Sequence, residues 1–126
     1  MVKYLFDSSI LIYHFNGKLN QRGTDLLSEG LTGVGAYSII SKIELLGFNQ
    51  SESDDLQARL LLSSLQELEL TSTIAEQTIQ IRKSRKLKLP DAVIAATAIV
   101  NNITIITRNT SDFDQIVGLN YINPFA

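Results

Sequence analysis

Short apolar runs alternate along this chain with stretches whose apolar residues recur every third or fourth position. Val2 to Phe6 is the first run and predicts a buried strand that stops at Asp7-Ser8-Ser9. Ile10, Leu11, Tyr13 and His14 then fall at helical spacing, and Asn16-Gly17 closes that helix. Gln21 to Leu31 predicts a second helix, ended near Gly30, and Gly33 to Tyr37 a second strand. Ser38 is placed to cap a helix bearing Ile39, Ile40, Ile43 and Leu46, up to Gly47. Past a polar loop from Asn49 to Asp55, Ser53 reads as the cap of a helix through Leu56, Leu60, Leu61 and Leu65. Leu68-Glu69-Leu70-Thr71 alternates as a third strand, and Ile74, Ile79 and Ile81 lie on a helix with a basic end. Leu89-Pro90-Asp91 opens the helix from Ala92 to Asn101. Ile103 to Thr107 reads as the fourth strand and Tyr121-Ile122 as a fifth.

Strands separated by helices predict an α/β fold, a parallel sheet of four to five strands covered by helices on both faces. At 126 residues the expected organisation is one domain, residues 1–126. In such sheets ligands bind beyond the carboxyl ends of the strands, so the residues following each strand are the ones to weigh.

Composition narrows the chemistry. Zero cysteines exclude a disulfide framework, a thiolate zinc site and a cysteine nucleophile, and fit a reducing cytoplasm. One histidine excludes multi-histidine metal sites. A net charge of −2 gives no global attraction to nucleic acid or membrane. The most apolar run, Ala92 to Val100, is far shorter than the roughly 20 residues of a membrane span, and no targeting segment stands out. The expectation is a cytoplasmic protein with no membrane partner.

The carboxylates carry the remaining signal. Asp7 follows strand one and reads equally as an N-cap or as a functional group. Glu44 adjoins Ile43 and Leu45, three and four positions from Ile40, Gly47 and Phe48, which places it at or inside an apolar face. It reads either as an edge glutamate reaching solvent or as a buried carboxylate in need of a cation. Asp91 starts the alanine-rich helix and by itself reads first as a cap. Asp112 and Asp114 follow strand four, and Asn109 offers a neutral oxygen at the same edge. Carboxylates gathered at one edge repel one another and hold protons unless a cation joins them. A hard-oxygen donor set suits Mg²⁺ or Mn²⁺, and the matching chemistry is phosphodiester cleavage by a metal-activated water.

Other motifs do not add up to a site. His14 sits on an apolar stripe and reads as packing. Gly17-Lys18 is followed by Leu19, so no phosphate loop exists, and Gly33-Val34-Gly35 is only a fragment of a glycine fingerprint. A phosphoacceptor role for Asp7 lacks both the preceding acidic pair and the later lysine. Arg82, Lys83, Arg85, Lys86 and Lys88 make up five of the eleven basic residues. They read either as a solvated helix end or as a phosphate-binding track leading to Asp91.

Four segments in order resemble the PIN-domain ribonucleases, and among them the VapC-type toxins of bacterial toxin–antitoxin pairs. They are Phe6 to Tyr13, Ser38 to Gly47, Leu87 to Ala98 and Ile106 to Phe113. The similarity runs on to Gly118-Leu119 and Ile122-Asn123-Pro124. The resemblance implies a PIN-like three-layer α/β/α fold and an Mg²⁺- or Mn²⁺-dependent RNA endonuclease. It maps the family's acidic residues onto Asp7, Glu44 and Asp91. At the fourth position many relatives have Asp where this chain has Asn109; others have Asn there and Asp three residues later, matching Asp112. Ser9 stands where many relatives have Asn, with Ser8 and Thr107 beside the site as supporting residues, and Arg108 joins the basic segment as a candidate RNA contact. The resemblance further implies a homodimer and a neutralising antitoxin. The leucine-rich helix from Ser53 to Leu65 could supply part of either surface. The alternative is a catalytically weak PIN-like scaffold that binds RNA or a protein partner.

Overall fold

A computed structural model describes all of residues 1–126. The elements run β1 (Tyr4–Phe6), α1 (Ser8–Phe15), α2 (Gln21–Glu29), β2 (Gly35–Ser38), α3 (Ile39–Leu46), α4 (Glu52–Ser63), β3 (Gln66–Leu68), α5 (Ser72–Ser84), α6 (Leu89–Asn101), β4 (Thr104–Ile106), α7 (Thr110–Phe113) and β5 (Asn120–Ile122). A wide turn, Gly30–Val34, joins α2 to β2, and Gly33 there has φ 116°, a conformation that glycine adopts at little cost. The five strands form one sheet in the order β3-β2-β1-β4-β5, and every neighbouring pair is parallel.

Period-two alternation builds two cores from one sheet. Leu5, Ala36 and Ile105 face α5, α6 and Phe113 of α7, where Ala92, Ala95, Ala96 and Ala98 bring α6 close to the strands. Phe6, Tyr37 and Ile106 face the other way, onto Ile10 and Leu11 of α1, Leu27 of α2, Leu45 of α3 and Ala58 and Leu62 of α4. The layers are thus helix, sheet, helix. Gly35 has no side chain because Phe6 needs its space: a Cβ on Gly35 would stand 2.8 Å from the Phe6 ring.

Among the element boundaries that differ from expectation, three have a clear local cause. The third strand is Gln66–Leu68, because the Thr71 hydroxyl caps α5 by accepting from the Ile74 N–H, and Leu70 is exposed. Helix α4 is capped by Ser51, which accepts from the Asp54 N–H, two residues earlier than the expected Ser53. The second strand begins at Gly35 because the chain is still turning at Gly33. Ser38 caps α3 as expected, accepting from the Ile40 N–H at 3.1 Å.

The topology itself creates a crevice. From β1 the chain adds β2 and β3 on one side, then returns to add β4 and β5 on the other. The connections above β1 and β4 therefore diverge, and a ligand can enter between their carboxyl ends. Asp7 follows β1 and Thr107 follows β4.

Candidate functional site

Asp7 occupies the cap position of α1, yet its carboxylate does not cap the helix. It accepts from Thr107 Oγ1 at 2.8 Å, across the crevice, and from Ser9 Oγ at 3.0 Å. The residue is 4 % exposed. Burial raises its pKa; the hydroxyls of Thr107 and Ser9 and the Ser8 backbone and hydroxyl pull it back only in part. The side chain of Asp7 therefore does not act as the N-cap of α1; it is held as a buried carboxylate between β1 and β4. Ser9 supplies a hydrogen bond from its own side chain.

Thr107 is the link between the two halves of the crevice. It is fully buried, donates to Asp7, and accepts from the Asn109 N–H at 2.9 Å. Asn109 in turn donates through Nδ2 to Asp112 Oδ2 at 2.5 Å. The amide therefore holds Asp112 in place, and Asn109 and Asp112 occupy this edge as a pair.

Glu44 arrives from α3. It is exposed, as is Ile43 at 60 %, which fits the reading of an edge glutamate and not that of a buried carboxylate. Helix α3 lies where the two cores meet and buries Ser41 and Leu45, which leaves Ile43 and Glu44 outward. Glu44 nevertheless reaches the site: its Oε1 accepts from Ser8 Oγ at 2.9 Å, while the same hydroxyl lies 3.5 Å from Asp7 Oδ1. One hydroxyl carries one proton, so Ser8 serves Glu44 and spaces it from Asp7.

Asp91 is the third residue of α6, inside the helix rather than at its cap, which is Lys88. Half-buried, it has its pKa pushed up to about 6. Burial is the largest cause, followed by the charges of Asp7 and Asp112, a hydrogen bond with Asp112, and the charge of Glu44. The four acidic side chains thus share one electrostatic field. No three of them close together tightly enough to enclose a single ion in this arrangement. An ion that keeps several of its waters can bridge carboxylates set this far apart. Carboxylates, hydroxyls and an amide, with no histidine or thiolate, form a donor set that fits Mg²⁺ or Mn²⁺.

The basic segment leads into the helix that carries Asp91. Arg82 and Lys83 end α5, Lys86 is exposed, and Lys88 caps the helix that carries Asp91. Arg85 differs from its neighbours: its guanidinium donates to the backbone carbonyl of Asp114, two residues beyond Asp112. It ties the segment to the α7 turn and keeps its charge, since a backbone carbonyl is neutral. The ion pairs are Lys3–Glu29, Lys42–Glu67 and Arg59–Asp55, so no residue of the segment pairs with an acid. His14 is exposed, against the expectation of packing, and lines an apolar groove with Ile12, Phe15 and Phe48. Of α4, Ala58 and Leu62 face the core, while Leu56 and Leu60 are more than half exposed.

Sequence reasoning missed two residues at the rim, Tyr13 and Phe125. Arg108 lies against both rings. Tyr13 counted only as an apolar position of α1, and no local pattern joins Phe125 to it.

The family model of the PIN domain matches residues 4–119. A solved toxin–antitoxin complex from Klebsiella pneumoniae contains a chain similar to this one, with 32% identity, 97% of this chain and 98% of that chain covered, and a TM-score of 0.80. DNA-bound VapBC from Salmonella typhimurium is similar at 22% identity, covering 98% and 99%, with a TM-score of 0.86. VapBC2 from Rickettsia felis, bound to a promoter DNA fragment, is similar at 22% identity, covering 98% of each chain, with a TM-score of 0.83. No curated protein sequence matches the chain.

Proposed function

This chain belongs to the PIN domain family, and on that premise we propose that it is a metal-dependent endoribonuclease, the toxin of a toxin–antitoxin pair. The observation that supports the reading is the hydrogen-bonded chain at the crevice between β1 and β4, in which Ser8 binds Glu44, Thr107 binds Asp7 and Asn109 binds Asp112, with Asp91 near enough to feel the charges of all three acids. Asp7, Glu44, Asp91 and Asp112 would hold the ion, with Asn109 holding Asp112. When bound, Mg²⁺ or Mn²⁺ supplies charge neutralisation at the scissile phosphate and lowers the pKa of an attacking water. The chain's own part is positional. Thr107 and Ser9 orient Asp7, Ser8 orients Glu44, and Asp91 can keep or release a proton near neutral pH.

The test is direct. Incubated with single-stranded RNA, the protein should cleave in the presence of Mg²⁺ or Mn²⁺, and chelation should stop it. RNA binding without cleavage under any divalent ion would replace the enzyme with the scaffold reading.

The basic segment supplies the RNA track in this reading. Lys83, Lys86 and Lys88 carry no acidic partner, and a groove of about 630 Å³ lined by Gln77, Gln80, Ser84, Arg85 and Lys86 runs beside them. Phosphate contacts release counterions at about 0.7 units of log–log salt slope each on single strands. Replacing Lys83 and Lys86 together by Ala should flatten the slope by about one to two units and weaken all sequences alike. An unchanged slope would make the segment a solvated helix end.

Partner surfaces are part of the same proposal. Leu56 and Leu60 on α4, with Ile43 and Phe48, leave apolar area uncovered. Chains similar to this one occur in toxin–antitoxin complexes, which supports an antitoxin as one protein that covers it; a second copy of this chain is proposed for the remainder. No helix is long and apolar enough to cross a membrane.

A further inference from the structure

A cationic and aromatic cluster stands at the rim of the acidic site, and holding a metal ion makes no use of it. Arg108 lies between Thr107, which binds Asp7, and Asn109, which binds Asp112. Its guanidinium pairs with no carboxylate. It stands 5.2 Å from the centroid of the Tyr13 ring and 5.2 Å from that of Phe125, and donates to the Tyr13 hydroxyl. The two rings meet edge to face, 5.7 Å apart at 73°. Arg108 is exposed and both rings are partly so.

This arrangement is costly to explain as packing alone. A guanidinium gains most from a charge-assisted, bidentate pair with a carboxylate, and Arg108 makes none. An exposed cation–π contact contributes only about 0.5–1 kcal/mol. Here the chain holds the cation on two rings and leaves its charge unneutralised. Phe125 is itself held in place. Asn20 Nδ2 donates to the Pro124 carbonyl at 2.8 Å, the Phe125 N–H donates to Asn123 Oδ1 at 2.9 Å, and Phe125 packs against the core cluster of Phe6.

We propose that Tyr13, Arg108 and Phe125 form a stacking platform for a nucleobase of single-stranded RNA, next to the phosphate held at the acidic site. The proposal rests on the nuclease reading and adds a base contact to it. Unstacked bases lie on aromatic rings and guanidinium planes, and such contacts tolerate any base because each has a π-face. The lysines of the basic segment have no plane and meet phosphates only. The two surfaces therefore divide the work: the segment holds backbone, the platform holds a base.

The experiment compares two ligands in EDTA, where no cleavage occurs: a short single-stranded RNA and a strand of equal length made of abasic ribonucleotides. Fluorescence anisotropy reads the affinity. Wild type should prefer the base-bearing strand. Phe125→Leu keeps apolar bulk against the core, and Arg108→Lys keeps the charge without the plane. Each should weaken the base-bearing strand by about tenfold, in the range that one stacked base contributes. Affinity for the abasic strand should stay within about twofold. In Mn²⁺ the same variants should raise KM and leave kcat nearly unchanged. Equal losses on both strands, or none, would overturn the platform, as would a wild type indifferent to the bases. Arg108→Lys is a surface change, so it decides the matter even where Phe125→Leu lowers the melting temperature. A wild type that cleaves RNA while both variants bind like it removes the platform alone. A wild type that cleaves no RNA with either ion removes the nuclease reading.

Discussion

Asp7→Asn should lower RNA cleavage by about a thousandfold or more and leave the fold standing. The expectation follows from what surrounds the carboxylate. Asp7 is buried, sits where β1 ends, and accepts hydroxyl hydrogen bonds from two elements, Ser9 of α1 and Thr107 after β4. Asn has nearly the same volume and keeps one carbonyl oxygen for those hydroxyls. What it removes is the negative charge, and charge stabilisation of several kcal/mol at a metal site corresponds to about three powers of ten in rate. Stability should move the other way. Burial raises the Asp7 pKa, so the ionised form is the one the fold disfavours, and a neutral amide relieves that cost at pH 7. The paired measurement is turnover with Mn²⁺ and the melting temperature in EDTA. Unchanged turnover would make Asp7 a structural tie between β1 and β4. A steep fall in melting temperature would show that the charge itself holds the crevice together.

How much of this site the sequence disclosed depends on where each residue stands relative to an element. Asp7, Asp91 and Thr107 were legible because strand ends and helix starts place side chains at one sheet edge, whatever the details of packing. Glu44 was open to two readings, and the structure decides between them: α3 lies where two cores meet, and the face carrying Ile43 and Glu44 is outward. It reaches the site through Ser8 instead, a contact between residues 36 positions apart. The roles of Asn109 and Asp112 required side-chain geometry: only the hydrogen bond between them shows which holds the other. Thr71 displaced one boundary because a hydroxyl cap outweighs weak alternation over a few residues, and at α4 two serines of the same loop compete for the cap, which Ser51 takes. The basic segment was visible as charge, yet Arg85 could not be separated from its neighbours until its bond to Asp114 was seen.

The acidic cluster also sets how stability depends on pH. Asp91 titrates near 6 in the folded chain against an ordinary value of 3.8, and Asp7 is raised as well. Both carboxyls bind protons more tightly folded than unfolded. Their contribution is therefore complete below the unfolded value and is lost as pH rises, for Asp91 through about 6. Glu67 is shifted the opposite way by Lys42, but its contribution changes only below its ordinary value of 4.5, outside this range. Metal-free protein in EDTA should thus melt higher at pH 5 than at pH 7.5. Mg²⁺ or Mn²⁺ should reverse the order, because the ion binds the carboxylates that repel one another at pH 7.5 and must displace protons at pH 5. At a concentration 100 times Kd the ion adds about 2.7 kcal/mol to stability, so the shift should be readily measured at pH 7.5 and much smaller at pH 5. Cleavage should rise across the same interval, as Asp91 becomes available. Asp91→Asn is the control, since it removes the group that titrates near 6 and should flatten the pH dependence of the metal-free melting temperature. A melting temperature that is level from pH 5 to 7.5 in EDTA, or equal stabilisation by Mn²⁺ at both values, would mean that these carboxylates do not act as one site.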